Sequence, residues 1–266
     1  MNLPWQLLVG GLAALLVAWG AYRAGALTRD GAWVAFVEGV LIFGLGGWAW
    51  ACLLLAFFVS SSAFSRLLPQ HKRALSEKFA KGHRRDWGQV AANGALAAGL
   101  AALHAWLPES RGVWVAFAGA LAAVNADTWA TEIGVLSPSA PRHVLTGKAV
   151  PKGTSGGISA LGLGAALAGA GLIGVGALLG EASPDVVFAV TLGGWLGALF
   201  DSVLGATLQA IYFCPQCQKE TEHTPRHTCG AATVHRRGWQ WMNNDVVNAL
   251  ASLIGAVIAG CLIGCR

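Results

Sequence analysis

Apolar residues run through this chain in long blocks, not in short alternating stretches. A helix needs about 20 mostly apolar residues to cross a bilayer core. Eight blocks meet or approach that length: Trp5 to Tyr22, Ala32 to Gly46, Gly47 to Phe64, Gly88 to Trp106, Val113 to Thr131, Gly157 to Leu179, Val186 to Ile211 and Asn244 to Ile263. The second and third form one apolar run broken at Gly44, Gly46 and Gly47, so a re-entrant segment is the alternative to two spans there. The pattern predicts an all-α polytopic membrane protein of about eight transmembrane helices. Residues 1–266 read as one integral-membrane domain, with a hydrophilic insert at 213–240. No positive segment precedes the first block, which is therefore read as a span and not as a signal peptide.

Composition agrees with this reading. Hydrophobic residues make up 55% of the 266 residues and charged residues only 12%, about half the charged share of a soluble domain. That excludes a disordered, collagen-like or disulfide-scaffold protein. The net charge is +5, but in a membrane protein the placement of basic residues is more informative than their sum. If the N-terminus is external, all Lys and Arg except Arg111 and Arg266 fall in internal connections. The expectation is a bacterial cytoplasmic-membrane protein with both termini outside and its basic loops in the cytoplasm. The loop from Arg66 to Arg85 is expected to meet anionic lipid headgroups. Nucleic acid is not an expected partner.

Charged groups inside membrane helices cost about 2.5–3.5 kcal/mol each on insertion scales and mark functional sites by default. Five acids qualify, Glu38, Asp127, Glu132, Asp201 and Asp245, and the topology gathers all of them near the cytoplasmic side. Glu109, Glu181 and Asp185 read as solvated charges of the external loops. The fifth block ends in NADTWATEIGVLS, where Asn125, Asp127, Thr128, Thr131 and Glu132 crowd one and a half turns. Such oxygen-rich clusters suit Mg²⁺ with substrate phosphate and water. The segment TGKAVPKGTSGGIS then supplies Lys148 and Lys152, with Gly153, Thr154, Ser155, Gly156 and Gly157 leading into a helix N-terminus. This is a candidate phosphate cradle, although not a Walker A loop. In the seventh block Asp201, Gly205 and Gln209 share one face. The eighth opens with Asn244, Asp245 and Asn248, and capping by Asn243 or Asn244 is the competing explanation there.

The insert carries CPQC at Cys214 to Cys217, followed by His223, His227, Cys229 and His235. A C-x₂-C knuckle with a later His/Cys pair predicts structural zinc on Cys214, Cys217, His227 and Cys229, with His223 or His235 as substitutes for the fourth ligand. Cys52, Cys261 and Cys265 read as packing residues.

The strings LTRDGAWVAFVEG, NADTWATEIGVLS, TGKAVPKGTSGGIS, FDSVLGATLQ and NNDVVN, with the CPQC insert between the last two, resemble one family. It is the integral-membrane family catalogued as domain of unknown function ninety-two, which includes the chloroplast phytyl-phosphate kinase and is related to CTP-dependent lipid kinases. The resemblance implies transfer of a nucleotide γ-phosphoryl group, CTP favoured, onto an isoprenoid monophosphate in the membrane. It marks Asn125, Asp127, Glu132, Lys148, Thr154, Ser155, Gly156, Asp201, Asn244, Asp245 and Asn248. For such an enzyme Asp127 and Asp245 are expected to hold Mg²⁺, Glu132 and Asp201 to hold a second metal or orient the acceptor, and Lys148 with the Thr154 to Gly157 backbone to bind nucleotide phosphates. Thr131 stands where relatives often have serine, and Thr228 separates the His and Cys that relatives often join. The competing readings are a transporter using the intramembrane carboxylates and a cytidylyltransferase acting on a lipid phosphate.

Overall fold

The computed structural model describes residues 3–67, 84–181 and 183–264. Lys72, Arg73, Lys78 and Lys81 of the basic loop, together with Cys265 and Arg266, lie outside the described residues. Eight helices of 13 or more residues are present among those described: α1 (Leu3–Arg23), α2 (Arg29–Leu41), α3 (Trp48–Leu67), α4 (Trp87–Trp106), α5 (Arg111–Gly134), α6 (Ala160–Gly176), α7 (Pro184–Thr207) and α8 (Asn244–Gly264). Six of them, α1, α3, α5, α6, α7 and α8, are long and apolar enough to cross a membrane. Helix α4 has 20 residues but carries Gln89, Asn93 and His104.

Helix α2 has 13 residues, about 20 Å at 1.5 Å per residue. A π-helical segment, Ile42–Gly46, extends it before the chain breaks. The break is at Gly47, whose φ of 90° is a conformation that L side chains rarely adopt. The glycine-broken run is therefore two helices joined by a turn.

Polar residues start the helices that begin at one end of the bundle. Thr28 accepts the Gly31 amide at 3.2 Å, Asp86 and Gln89 form a capping box on α4, and Ser159 accepts the Gly162 amide at 3.1 Å. Asn243 accepts the Val246 amide at 3.1 Å, so Asn243, not Asn244, caps α8. The C-terminal ends of α3, α5 and α7 reach the same end, and Ser65, Glu132 and Gln209 line one cavity there. Two span limits read from the sequence move as a result. Gly157 and Ile158 belong to strand β2 (Gly157–Ile158), paired with β1 (Arg142–His143), because the Ser159 cap sets the start of α6. Helix α7 ends at Thr207, and Ile211 begins strand β3 (Ile211–Cys214).

Helix α5 is the axis of the bundle, buried among α6, α7 and α8. Its contacts with α7 and α8 are backbone contacts made possible by glycine. A Cβ on Gly255 would stand 2.7 Å from both Ala123 Cβ and the Gly119 carbonyl oxygen. One on Gly197 would stand 2.7 Å from Ala123 Cβ and 2.8 Å from the Ala251 oxygen. This is the small-residue packing that membrane helices use where apolar burial gives no preference for helix over lipid. At the opposite end Arg111 pairs with Glu181 and Asp185, so those two acids are ion-paired and not simply solvated. Trp50, Trp114 and Phe117 pack together, with ring centroids 4.3–5.7 Å apart.

Enlarging the glycine seam should therefore be costly. Gly255→Val is expected to lower the melting temperature in detergent by several degrees, in line with the about 1–3 kcal/mol typical of overpacking. Gly171→Ala, where an added Cβ meets nothing within 4 Å, should leave it unchanged.

Candidate active site

The seam sets the register of the polar residues beyond it. Ala123, Gly197 and Ala251 are mutual neighbours across α5, α7 and α8. About one turn further toward the polar end, each helix presents a polar residue: Asp127 on α5, Asp201 on α7 and Asn248 on α8. All three line a cavity of about 650 Å³. Glu132, Asn244, Ser202 and the 152–157 loop complete much of its wall.

The loop is a folded element. Lys152 Nζ donates to the carbonyl oxygens of Val135 and Ser137 at 3.0 and 2.6 Å, which satisfies the last acceptors after α5. Gly153 and Gly156 have φ of 75° and 81°. A Cβ at Gly156 would stand 2.5 Å from that of Ala206, so glycine lets this loop lie directly on α7. Ser155 Oγ then donates to Gln209 Oε1 at 2.5 Å. Arg237 donates to the carbonyl oxygens of Gly205 and Ala206 at 3.1 and 3.2 Å, closing the end of α7.

Beyond α7 the insert forms a three-stranded antiparallel sheet, with β3 between β4 (Lys219–Thr221) and β5 (Val234–Arg237). The ligand atoms of Cys214, Cys217, His227 and Cys229 all lie within 4.8 Å of one another. Cys214 Sγ is 3.5 Å from Cys229 Sγ, which is 3.3 Å from His227 Nδ1. Tetrahedral zinc with bonds of about 2.0–2.3 Å needs ligand separations of this order. Three thiols and one imidazole are thus brought together as the spacing implied. His223 meets His227 edge-on with ring centroids 5.9 Å apart, and His235 packs edge-on against Tyr212. Neither substitute is drawn into the cluster.

The sheet also sends one residue into the cavity that the sequence did not suggest. Gln209 Nε2 donates to Glu222 Oε1 at 2.9 Å, and Glu222 lines the cavity wall. Asp201 feels the negative charge of both Asp127 and Glu222, and its Oδ2 is buried without a hydrogen-bond partner. Two carboxylates beside a third that carries a buried, unsatisfied oxygen are a donor set suited to a divalent cation.

Arg85 was also missed, having been read as part of the headgroup-binding loop. It packs beside the N-terminus of α4 and donates to Ser61 Oγ at 2.9 Å. Its guanidinium carbon lies 5.3 and 5.8 Å from the ring centroids of Phe57 and Phe58. Burial lowers its pKa to about 10 while the nearby Glu132 opposes that shift, so it stays charged at neutral pH. Glu132 in turn accepts from Ser65 at 2.5 Å. The signal that could have placed Arg85 is Asp86-x-x-Gln89, a capping-box spacing that fixes the helix start one residue after it.

Three sequence candidates lie off the cavity wall. Asn125 is fully buried, donating to the Gly169 carbonyl oxygen at 2.8 Å and accepting from Ser60 at 3.0 Å. It joins helices and does not face the cavity. Lys148 is exposed on the turn following β1, where its carbonyl oxygen accepts the His143 amide. Asp245 is half-buried in the first turn of α8, and its neighbour Asn244 faces the cavity instead.

Comparison with known proteins agrees with this architecture. The chain is 32% identical over 235 residues to Protein PGR of Arabidopsis thaliana, which covers 79% of the chain and 81% of that protein. It is 29% identical to an uncharacterized membrane protein of Methanocaldococcus jannaschii, covering 98% of the chain and 95% of the relative. Protein VTE6, chloroplastic, of Arabidopsis thaliana is 26% identical over 96% of the chain and 71% of that protein. No solved structure matches the chain. The family model described as integral membrane protein DUF92 matches residues 12–256, and the chain belongs to that family.

Proposed function

We propose that the protein is a Mg²⁺-dependent phosphotransferase that uses a nucleoside triphosphate, CTP by preference, to convert a phytyl or polyprenyl monophosphate to the diphosphate. The observation that carries this reading is the meeting of Asp127, Asp201 and Glu222 with the glycine loop in one cavity at the end of the bundle. The five motifs that carry the resemblance to the family of the phytyl-phosphate kinase favour the same chemistry. A transporter reading is less favoured because the polar residues collect at helix ends and not at the bilayer midplane.

In this reading Asp127 and Asp201, with Glu222 beside them, hold Mg²⁺. The ion when bound offsets the charge that builds on the transferring phosphoryl group. The backbone of Gly153, Ser155 and Gly156 and the Lys152 ammonium face the nucleotide phosphates, while Asn244 and Asn248 orient them. Arg85, held by Phe57 and Phe58, neutralises the acceptor phosphate. An oxygen of that phosphate attacks the γ-phosphorus, the bond to the β-phosphate oxygen breaks, and nucleoside diphosphate leaves. The acceptor is already an anion, so no strong general base is needed. Asp245 and Lys148 are given supporting positions outside the cavity wall, and Asn125 a packing role.

The deciding experiment supplies purified protein with Mg²⁺, labelled CTP or ATP and a panel of isoprenyl phosphates. Release of nucleoside diphosphate is expected; pyrophosphate would mean a cytidylyltransferase, and no turnover would return the transporter reading. Asp127→Asn should lower turnover at least about a hundredfold, comparable with losing one group that stabilises transition-state charge, with an unchanged melting temperature. Near-normal turnover would remove Asp127 from the site.

The Cys214, Cys217, His227 and Cys229 cluster fits structural zinc. Elemental analysis of protein prepared without chelator should give one zinc per chain. Cys214→Ser is expected to lose the metal and, through Glu222 and Gln209, most of the activity.

Sidedness follows from the basic residues. In a background with Cys52, Cys261 and Cys265 replaced by serine and the zinc cysteines retained, Thr146→Cys should resist membrane-impermeant thiol reagent in intact cells and label after permeabilisation. Glu109→Cys, at the other end of α5, should label in intact cells. The opposite pattern would place the cavity where no nucleotide is found.

A further inference from the structure

A second cavity, of about 280 Å³, adjoins the first. It is lined almost wholly by apolar side chains from α1, α2, α3 and α4, and Arg85 and Asn93 line both cavities. Its shape follows from how loosely the first helices are attached. Helix α1 packs on α2 and the π segment and makes no comparable contact with α3 or α4. Helices α2 and α3 meet at the Gly47 turn without packing along their lengths. The cleft between α1 and α3 is left open at the surface, with the exposed Val17 and Leu55 on its two sides.

One polar group stands in this apolar wall. Glu38 is only 7% exposed, its carboxylate lies where a Cβ on Gly94 would be, and its Oε1 has no hydrogen-bond partner. The buried Asn93 Oδ1 also has none. Two buried polar atoms left unsatisfied at the meeting of an apolar groove and a charged cavity are relieved when a polar or hydrated group occupies that junction.

We propose that this groove holds the hydrocarbon chain of the phosphate acceptor, which enters sideways from the bilayer between α1 and α3. Its phosphate is then held by Arg85 at the entrance to the polar cavity. This rests on the polar cavity being the phosphate-transfer site. The observation that selects a lipid phosphate as occupant is continuity. A single guanidinium, flanked by the aromatic rings of Phe57 and Phe58 that line the groove, also lines the polar cavity. An amphiphile with one anionic end and an apolar chain satisfies both regions at once. A soluble phosphate would leave the groove exposed, and a neutral lipid would leave Arg85 without an anion.

The test measures binding without turnover. A prenyl monophosphate carrying a diazirine at the chain end is photolysed with the purified protein in detergent, without nucleotide, and the label is mapped by mass spectrometry. Label is expected on groove residues of α1 to α4, such as Ala14, Val17, Ala51 and Leu55. Unlabelled prenyl monophosphate should compete at least about tenfold better than the matching alcohol. Arg85→Gln should abolish that preference, and Ala35→Phe should fill the groove and reduce labelling by a comparable factor, with both variants checked for an unchanged elution profile.

Label confined to α6, α7 or α8 would overturn the proposal. So would groove labelling displaced equally by the alcohol, which would mark an ordinary lipid-filled cleft. Should either variant fail to fold, the label position and the competition ratio in the unaltered protein decide alone. Labelling as expected with no nucleoside diphosphate released would keep the groove and sink the kinase reading. Turnover with label elsewhere would do the reverse.

Discussion

Backbone contact between α5, α7 and α8, at positions where only glycine and alanine fit, is the constraint on which the candidate site depends. Gly119, Gly193, Gly197 and Gly255 bring the helices so close that an added Cβ would meet a neighbouring carbonyl or methyl carbon at 3 Å or less. Such contacts leave little freedom to slide, because moving one helix along another drives Cβ atoms into backbone. Asp127, Asp201 and Asn248 sit about one turn beyond the seam, so its register becomes theirs. The phosphoryl transfer proposed above would depend on positioning, and errors of about 1 Å would be costly. A rigid seam supplies that positioning from the part of the helices best shielded from water.

The material outside the bundle is fastened to helix ends by the same economy of unsatisfied groups. Lys152 takes the last carbonyl oxygens after α5, and Arg237 takes those at the end of α7. Each bond satisfies an acceptor that a helix terminus leaves open, and each also fixes a segment that lines or supports the cavity. The Ser155–Gln209–Glu222 chain links the glycine loop to the insert through one side chain of the α7 terminus. The four-residue Cys/His cluster lies at the end of the sheet's central strand β3, which Cys214 closes, and joins it to the connections that follow. A metal held there, as proposed, would act on Glu222 through the backbone of three short strands.

Much of this was legible in the chain because a membrane makes polar residues conspicuous. Glu38, Asp127, Glu132 and Asp201 stood out as acids in apolar runs, and the structure places all four on cavity walls. Cysteine spacing was enough to identify the cluster, although only the fold distinguishes His227 from His223 and His235. The errors have physical causes as well. Apolar strand residues such as Ile158 and Ile211 look like helix ends in a hydropathy pattern, since burial in a small sheet requires the same residue types. Lys148 and Asn125 belong to motifs whose neighbours line the cavity, but a motif does not say which way each side chain turns. Glu222 and Arg85 were overlooked because they lie in hydrophilic segments, where a charge is unremarkable until the fold carries it to the site.

Location at helix ends also explains how one site can serve two solvents. In the proposed reaction a lipid phosphate would keep its charge at the bilayer surface and its chain in the hydrocarbon, and neither part would need to move far. A midplane site would require a phosphate to be dehydrated and carried inward, against a cost of several kcal/mol for burying a charge. Here the carboxylates, glycine loop and Arg85 lie at the level where α2, α4, α6 and α8 begin, and where their caps already need water or polar partners. The apolar groove adjoins the polar cavity at that level, where Arg85 and Asn93 line both. Arg85 is the residue for which this matters most, because its guanidinium lies against Phe57 and Phe58 of the groove and also lines the polar cavity. A lysine there would carry the same charge without the planar face that packs on Phe57 and Phe58, and would hold a phosphate without being fixed at the boundary.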